Sequence, residues 1–213
     1  MRKTLFFMLT AAFVLTAATA AAAETKLPAP GKTGGQPVLE AIDHRSSATQ
    51  NDFPSKKVGD ADLATILWAA TGNNRDGRKW TVPMAMGRPP YCKIYVTSTD
   101  GAYRYDWKNH SLVEVAKGGG VHAAIPLQSF AQSAPMVMYI VSDSEELGKM
   151  NSPFGSEFGL VLAGAMSQNV YLAAEAVDVG ARLVYSIRRD EATKGLQLAP
   201  DDVPYFAIVL GKK

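Results

Sequence analysis

The chain has 213 residues, of which 47% are hydrophobic and 20% are charged, and its formal net charge is +2 at pH 7. This balance is ordinary for a globular protein and lacks the basic excess of nucleic-acid-binding proteins, so no nucleic-acid partner is predicted. The single cysteine excludes an internal disulfide, and three histidines far apart in sequence offer no metal-ligand spacing, so no metal site is predicted. The cysteine, Cys92, lies in a strand-like run, where we expect a small buried side chain.

The N-terminus has the pattern of a secretory signal peptide. Arg2 and Lys3 precede an apolar run that ends in small residues before Glu24. We expect residues 1–23 to be cleaved, which makes the protein exported, periplasmic or secreted; an uncleaved membrane anchor is the alternative. No later apolar run is long enough to span a membrane, and the remaining chain of about 190 residues predicts a single domain over residues 37–213.

The first elements after the signal peptide are an arm and a helix. Residues 24–36 are rich in Pro, Gly, Lys and Thr, which predicts an extended, flexible N-terminal arm that acts as a tether or a surface strap. A helix is then predicted with Asp60 as its cap and Gly72 as its end. Its apolar residues at helical spacing are Leu63, Ile66, Leu67 and Ala70.

Six β-rich runs follow. They are CKIYVTST (92–99), GAYRYDW (101–107), HSLVEVA (110–116), PMVMYIVSD (135–143), ARLVYSI (181–187) and YFAIVLG (205–211). Asp100 and Gly101 predict a hairpin, and the continuous apolar run at 135–143 predicts a buried strand. The glycine triplet 118–120 fits no phosphate-loop pattern and is expected to be a flexible connection, and residues 127–132 are expected to form a helical turn.

The longest predicted helix covers residues 157–179 and ends at Gly180. Small residues occupy much of its surface, which favours close packing against a partner helix. They include Ala163, Gly164, Ala165, Ala173 and Ala174. Helices alternate with strands along the chain, so the fold class is expected to be α+β or α/β with a mixed sheet.

Two segments together resemble a known family. HRSSA (44–48) is followed by ILWAATGNNRDGRKWTVPMAM (66–86), in the order found in the FMN-dependent nitroreductase family. The similarity is greatest to short members near the thiazole/oxazole-forming dehydrogenase branch. It continues through GAYRYD, SQNVYLAAEAVDVGARLV and the terminal IVLGKK, and so covers nearly all of the expected mature chain.

The resemblance implies an α+β fold with a mixed four- to five-stranded sheet flanked by helices. It also implies a homodimer with two FMN molecules at its interface, in which the long helix is the central dimer helix. The implied activity is two-electron transfer through FMN, usually with NAD(P)H as donor and a nitro compound, a quinone or a related small molecule as electron acceptor. Because the flavin carries this chemistry, no catalytic residue of the protein is identified.

Site residues follow from the resemblance. Arg45 and Ser46 match the positions that hold the flavin phosphate, and His44 takes the other basic position. Judged by residue chemistry alone, these three residues would form a solvated turn before a helix. The loop along the isoalloxazine ring is matched by Pro83, Met84 and Ala85, and the basic C-terminal positions near the phosphate are matched by Lys212 and Lys213.

Three positions depart from the family pattern. Ala48 stands in place of a second phosphate-binding Arg, Met84 in place of Ser, and Gly87 in place of Asn. Loss of the Arg alone would weaken FMN binding about tenfold to a hundredfold unless Lys212 or Arg188 replaces its charge. One alternative is a flavin-free protein of the same fold that binds another ligand or a protein in the vestigial cleft; another is an unrelated exported binding module, for which the collinear matches would be coincidence. Export also constrains the choice of electron donor, because NAD(P)H is scarce outside the cytoplasm.

Overall fold

A computed structural model describes residues 22–84 and 87–213. Residues 1–21 of the predicted signal peptide, and Ala85 of the predicted flavin loop, lie outside these described residues. The strands are β1 (Glu24–Lys26), β2 (Asn73–Asn74), β3 (Lys79–Trp80), β4 (Cys92–Thr97), β5 (Gly101–Asp106), β6 (Ser111–Lys117), β7 (Met136–Ser142), β8 (Val179–Val184) and β9 (Pro204–Lys212). The helices are α1 (Val38–His44), α2 (Asp60–Thr71), α3 (Gly120–Ala124), α4 (Ser129–Gln132), α5 (Ser144–Gly148), α6 (Gly155–Ala176) and α7 (Arg189–Gly195).

Within the described ranges, seven strands form one sheet in the order β1-β6-β5-β4-β7-β9-β8, and each neighbouring pair is antiparallel. The α+β class is confirmed, but the sheet is larger than the expected four or five strands and is antiparallel rather than mixed. Each of the six β-rich runs forms a strand, and the predicted arm adds β1. The β4–β5 and β5–β6 pairs join strands that are consecutive in the chain, as in hairpins, whereas the β1–β6, β4–β7 and β7–β9 pairs join strands that are distant in the chain.

The β4–β5 hairpin turns at Asp100 and Gly101, as predicted. A Cβ at position 101 would lie 2.5 Å from the Ala116 carbonyl oxygen of β6. The close approach of β6 to the hairpin therefore requires glycine at this position.

The sheet has helices on both faces and therefore two cores. One core holds α2 and α6 against residues such as Ile94 and Met138, and the other includes Ile125 and Ala192 of the α3 and α7 region against Tyr139 and its neighbours. β7 is buried along its whole length because both of its faces are covered, which confirms the predicted buried strand. Cys92 belongs to the first core and is only 3% exposed, as expected.

Three boundaries differ from the sequence-based expectations. α2 begins at Asp60 itself with Gly59 as N-cap and no side-chain cap, so Asp60 acts within the first turn, where a carboxylate interacts favourably with the helix dipole. α6 ends at Ala176 because Asp178 takes a left-handed conformation, with φ 57°, that turns the chain into β8. The glycine triplet is not only a connection, since α3 begins at Gly120.

The predicted arm lies across the surface of the domain. Its first residues pair with β6 as β1, and farther along the Gly31 N–H donates to Thr65 Oγ1 of α2 at 2.9 Å. The Lys32 ammonium lies 5.5 Å from the centroid of the Trp68 ring. These contacts make the segment a strap over the sheet edge and α2. None of the helices in the described ranges is long and apolar enough to cross a membrane.

Candidate functional site

The segment 44–48 lies along the outer edge of β8, the last strand of the sheet. The Ala48 N–H donates to the Ala181 carbonyl oxygen at 3.0 Å, and Arg182 Nη1 donates to the Ala48 carbonyl oxygen at 2.9 Å. Farther along, Pro54 packs so closely over Gly180 that a Cβ there would lie 2.8 Å from Pro54 Cγ. These contacts fix the segment to the sheet and cap part of an otherwise free strand edge.

Tyr171 of α6 connects the helix to the same edge. Its hydroxyl accepts the Leu183 N–H at 2.7 Å and lies 3.0 Å from Ser47 Oγ. The Arg45 guanidinium lies over the ring, 5.4 Å from its centroid, which is within the range of a cation–π interaction. The buried tyrosine thus positions Arg45 and Ser47 beside β8.

We call this region the β8-edge site and define it by Arg45, Ser46, Ser47, Tyr171, Arg182, Leu183 and Tyr185. Within the described part of the chain, neither Arg45 nor Arg182 has a carboxylate partner, and the Ser46 hydroxyl is exposed. Beside them, Leu183 is 37% exposed and Tyr185 is 65% exposed. Guanidinium and hydroxyl donors next to apolar side chains are suited to a ligand that has an anionic end and a flat apolar part.

His44 stands apart from this cluster. Its side chain is exposed, and Nε2 lies 3.9 Å from Asp43 Oδ2. An exposed pair of this kind adds little to stability. The cationic groups nearest the Ala48 segment and Tyr171 are therefore Arg45 and Arg182, and a role for His44 stays a prediction.

Pro83 and Met84 lie on another side of α6. Asn169 Nδ2 donates to the Ala69 carbonyl oxygen at 2.9 Å and to the Thr81 carbonyl oxygen at 3.2 Å, which holds the start of this loop against α2 and α6. Asn169 and Tyr171 are two residues apart and so point roughly 200° away from each other around the helix axis. In the described ranges, no hydrogen bond or ion pair joins Pro83 or Met84 to Arg45, and Met84 packs partly against the first core.

The loop that precedes Pro83 is a small hairpin made by β2 and β3. Trp68 Nε1 donates to the Asn73 carbonyl oxygen at 2.7 Å, and Thr81 Oγ1 donates to the Trp68 carbonyl oxygen at 3.1 Å. The hairpin is thus tied to the end of α2. It joins two elements and also sets the position of the Pro83–Met84 stretch.

Lys212 and Lys213 are both paired with carboxylates. Lys212 Nζ lies 3.2 Å from Asp62 Oδ2, and Lys213 Nζ lies 2.8 Å from Glu175 Oε2. Glu175 is one helical turn beyond Tyr171, so Lys213 lies near the Arg45 end of α6. The carboxylates offset the positive charges of both lysines, which bind the end of β9 to α2 and α6.

Arg188 does not reach towards position 48. Its Nη1 donates to the carbonyl oxygens of Ala124 and Pro126, at 3.0 and 2.6 Å, in the α3 region. Arg182 instead occupies the neighbourhood of Ala48, and neither it nor Tyr171 was identified from the sequence. The available signal was that Arg182 is the one charged residue in the apolar run 181–187.

Neither a metal-binding cluster nor a reactive thiol is present in the described residues. No group of three His, Cys, Asp or Glu side chains in them could hold a metal ion. Burial raises the pKa of the Cys92 thiol far above its usual value, so the thiol stays protonated and is a poor nucleophile. The β8-edge site is therefore the principal candidate.

Comparisons with known proteins agree with this fold. A model of the nitroreductase family matches residues 42–212. A nitroreductase-like protein of Methanocaldococcus jannaschii is 28% identical over 161 residues, which cover 71% of this chain and 80% of that protein.

Solved structures show the same architecture. A nitroreductase-like protein of Ralstonia eutropha superposes with a TM-score of 0.77 and 27% identity, with 89% of each chain covered. The NADPH:FMN oxidoreductase of Vibrio harveyi, solved in complex with NAD+, has a TM-score of 0.57 and 17% identity over 82% of this chain and 68% of its own. The family match extends over most of the chain: this protein belongs to the nitroreductase family.

Proposed function

We propose that the protein is an FMN-dependent oxidoreductase of the nitroreductase type, which transfers two electrons to a nitro compound, a quinone or a related acceptor. Family membership supports a flavin-type oxidoreductase in general. The observation that carries the finer proposal is the β8-edge site, where Arg45 and the serine hydroxyls stand beside the exposed Leu183 and Tyr185. This donor set fits a phosphate monoester, and the apolar part fits a flat ring system.

In this proposal each part of the site has one task. Arg45, Ser46 and Ser47 hold the phosphate of FMN, since guanidinium and hydroxyl groups donate short hydrogen bonds to phosphate oxygens. Leu183 and Tyr185 shield part of the ring from water. When bound, FMN supplies the two-electron chemistry, and the protein orients it. Contact of Pro83, Met84 and Ala85 with the ring, and a role for His44, Lys212 and Lys213, remain predictions.

We also propose a homodimer with two FMN molecules at its interface. Leu160 and Val161 in the N-terminal half of α6, and Phe154 just before it, are exposed, while α1 covers the other half and exposes its own apolar residues, including Leu39. Antiparallel packing of two α6 helices, each roughly 33 Å long, would bring α1 of one protomer towards the exposed half of its partner's α6. Such packing removes both apolar surfaces from water.

The compartment bears on the electron donor. We propose that residues 1–23 are removed and that the mature protein is periplasmic or secreted. NAD(P)H is then a doubtful donor, so the physiological reductant is expected to differ from that of a cytoplasmic enzyme. Mass spectrometry of the exported protein should give an N-terminus at Glu24; an intact leader would contradict the export proposal.

A flavin-free function is the second candidate, in which the vestigial cleft binds another ligand or a protein partner. The observation that favours it is the pairing of Lys212 and Lys213 with Asp62 and Glu175, together with the absence of a side-chain donor at Ala48. The cleft then has fewer unpaired cationic side chains to bind a phosphate than the family pattern provides.

One experiment separates the two candidates. The purified mature protein is incubated with excess FMN, desalted and examined by visible absorption, then reduced with dithionite and mixed with a nitroaromatic compound or a quinone. Retained flavin bands, at about one flavin per chain and reoxidised by the acceptor, are the result expected for the oxidoreductase. A colourless protein after desalting would contradict that function and favour the flavin-free candidate.

A further inference from the structure

Arg182 is a partly buried cation in the middle of β8, and its guanidinium lies beside the segment 45–48. Its Nη1 donates to the Ala48 carbonyl oxygen at 2.9 Å. A guanidinium has five N–H donors. Within the described part of the chain, the Arg182 guanidinium makes this one hydrogen bond. The remaining donors are therefore open to a further acceptor.

The charge of Arg182 is also not offset by the protein. Lys212 and Lys213, at the nearby end of β9, each have a carboxylate within 3.2 Å. Arg45 and Arg182 have no such partner in the described ranges, although both are partly buried. A cation that loses water on burial without a counter-charge costs free energy, and an anionic ligand removes that cost.

Two guanidinium groups thus belong to the two ends of the segment 45–48. Arg45 is its first residue and lies over the Tyr171 ring, and Arg182 of the adjacent strand donates to the carbonyl oxygen of its last residue, Ala48. Along the chain, Ser46 and Ser47 lie between Arg45 and Ala48; Ser46 is exposed, and the Ser47 hydroxyl contacts Tyr171. A phosphate monoester accepts several such hydrogen bonds at once, and a guanidinium matches its geometry with two parallel donors.

We propose that Arg182 is a phosphate-binding residue of the β8-edge site and supplies the guanidinium that position 48 lacks. The inference rests on the proposed function for the identity of the phosphate compound as FMN. It goes beyond that function because it assigns the phosphate affinity to a residue outside the family's motif.

The test compares the affinities of FMN and riboflavin, which differ only by the phosphate, measured by flavin fluorescence quenching with the purified protein. Arg182→Gln retains a donor for the Ala48 carbonyl oxygen but removes the charge. It is expected to lower FMN affinity about tenfold and to leave riboflavin affinity unchanged. Arg182→Lys, which retains the charge, should lose less, and the salt dependence of FMN binding should weaken in the Gln variant only.

A rescue and a control sharpen the test. Ala48→Arg in the Arg182→Gln background is expected to restore the preference for FMN over riboflavin. Arg188→Gln is the control, because that guanidinium bonds in the α3 region and its loss should leave the preference unchanged.

Two results would overturn the inference while the proposed function stands. One is a wild-type protein that prefers FMN and an Arg182→Gln variant with the same preference. The other is an equal loss of FMN and riboflavin affinity in the Gln variant without rescue by Ala48→Arg, which would indicate a role in folding alone. A wild-type protein that binds neither flavin would overturn the proposed function, and this inference with it.

Discussion

Tyr171 shows how a single side chain organises the candidate site. Its hydroxyl links Leu183 of β8 to Ser47, and its ring supports Arg45. The residues next to Tyr171 in its helix are small or apolar, so the sequence alone indicates a tyrosine that packs in the core. Its role becomes apparent only when the helix is packed against the strand edge.

We predict that Tyr171→Phe lowers the free energy of unfolding by about 1 kcal/mol, because the Leu183 N–H loses its acceptor in a partly buried place. Urea unfolding of the purified protein measures this change. Tyr185→Phe is the matched control: that side chain is 65% exposed, and its loss of hydroxyl should have little effect. Equal changes in the two variants would contradict the importance of the Tyr171 hydrogen bond.

Sequence similarity predicted part of the candidate site and did not predict the rest, for a physical reason. Arg45 and Ser46 belong to a contiguous motif that can be read along the chain. Arg182 and Ala48 are 134 positions apart, and Ser47 and Tyr171 are 124 apart. Such contacts depend on how β8 and α6 pack, which no local pattern records.

His122 joins α3 to the sheet. Its Nδ1 lies 2.9 Å from Thr97 Oγ1 and its Nε2 lies 2.9 Å from the Ala134 carbonyl oxygen. Because a carbonyl oxygen only accepts, Nε2 carries the proton and the neutral ring accepts from Thr97 at Nδ1. Burial lowers the pKa of His122 below its usual 6.5, which favours this neutral form.

This pKa shift predicts a loss of stability in acid. As pH falls below about 6.5, the unfolded state takes up a proton before the folded state does, so the free energy of unfolding decreases. His122→Gln cannot take up that proton, and its unfolding free energy should decrease less between about pH 7 and 5 in urea titrations. Burial also lowers the pKa of His110, so some acid sensitivity should persist.

An exposed residue that does not titrate provides the control for this experiment. Leu127→Gln should show the same acid-side decrease as the wild-type protein, because it neither adds nor removes a titratable group. A His122→Gln variant whose unfolding free energy decreases as much as that of the wild-type protein between about pH 7 and 5 would contradict the assignment of the acid sensitivity to His122.

Elements were easier to predict than their ends. Apolar runs and helical spacing located the six main strands and the two long helices. The end of α6 was misplaced by three residues because Asp178, rather than a glycine, takes the left-handed conformation. β1 was missed because its three residues are exposed and acquire strand structure only by pairing with β6.

At the level of the whole protein, the exposed apolar face of α6 predicts self-association. Val161 is 72% exposed in the single protomer, and a glutamate there would place a charge in the proposed interface. We predict that Val161→Glu sediments as a monomer at micromolar concentration whereas the wild-type protein sediments as a dimer. The control is Leu127→Glu, an exposed apolar position in the loop between α3 and α4, which should leave the dimer intact.

A wild-type protein that sediments as a monomer at this concentration would contradict the homodimer itself. A Val161→Glu protein that remains dimeric would contradict α6 as its interface. Either result would leave the family membership untouched, because that rests on the fold and on the match over residues 42–212.

The central claim is that the β8-edge site binds the phosphate of FMN, and the FMN affinity of Arg45→Ala tests it most directly. The variant removes the guanidinium over Tyr171 and leaves the backbone contacts of Ala48 in place. We predict that FMN affinity, measured by fluorescence quenching, falls about tenfold or more while riboflavin affinity is unchanged. An Arg45→Ala protein that binds FMN as tightly as the wild type would contradict the account.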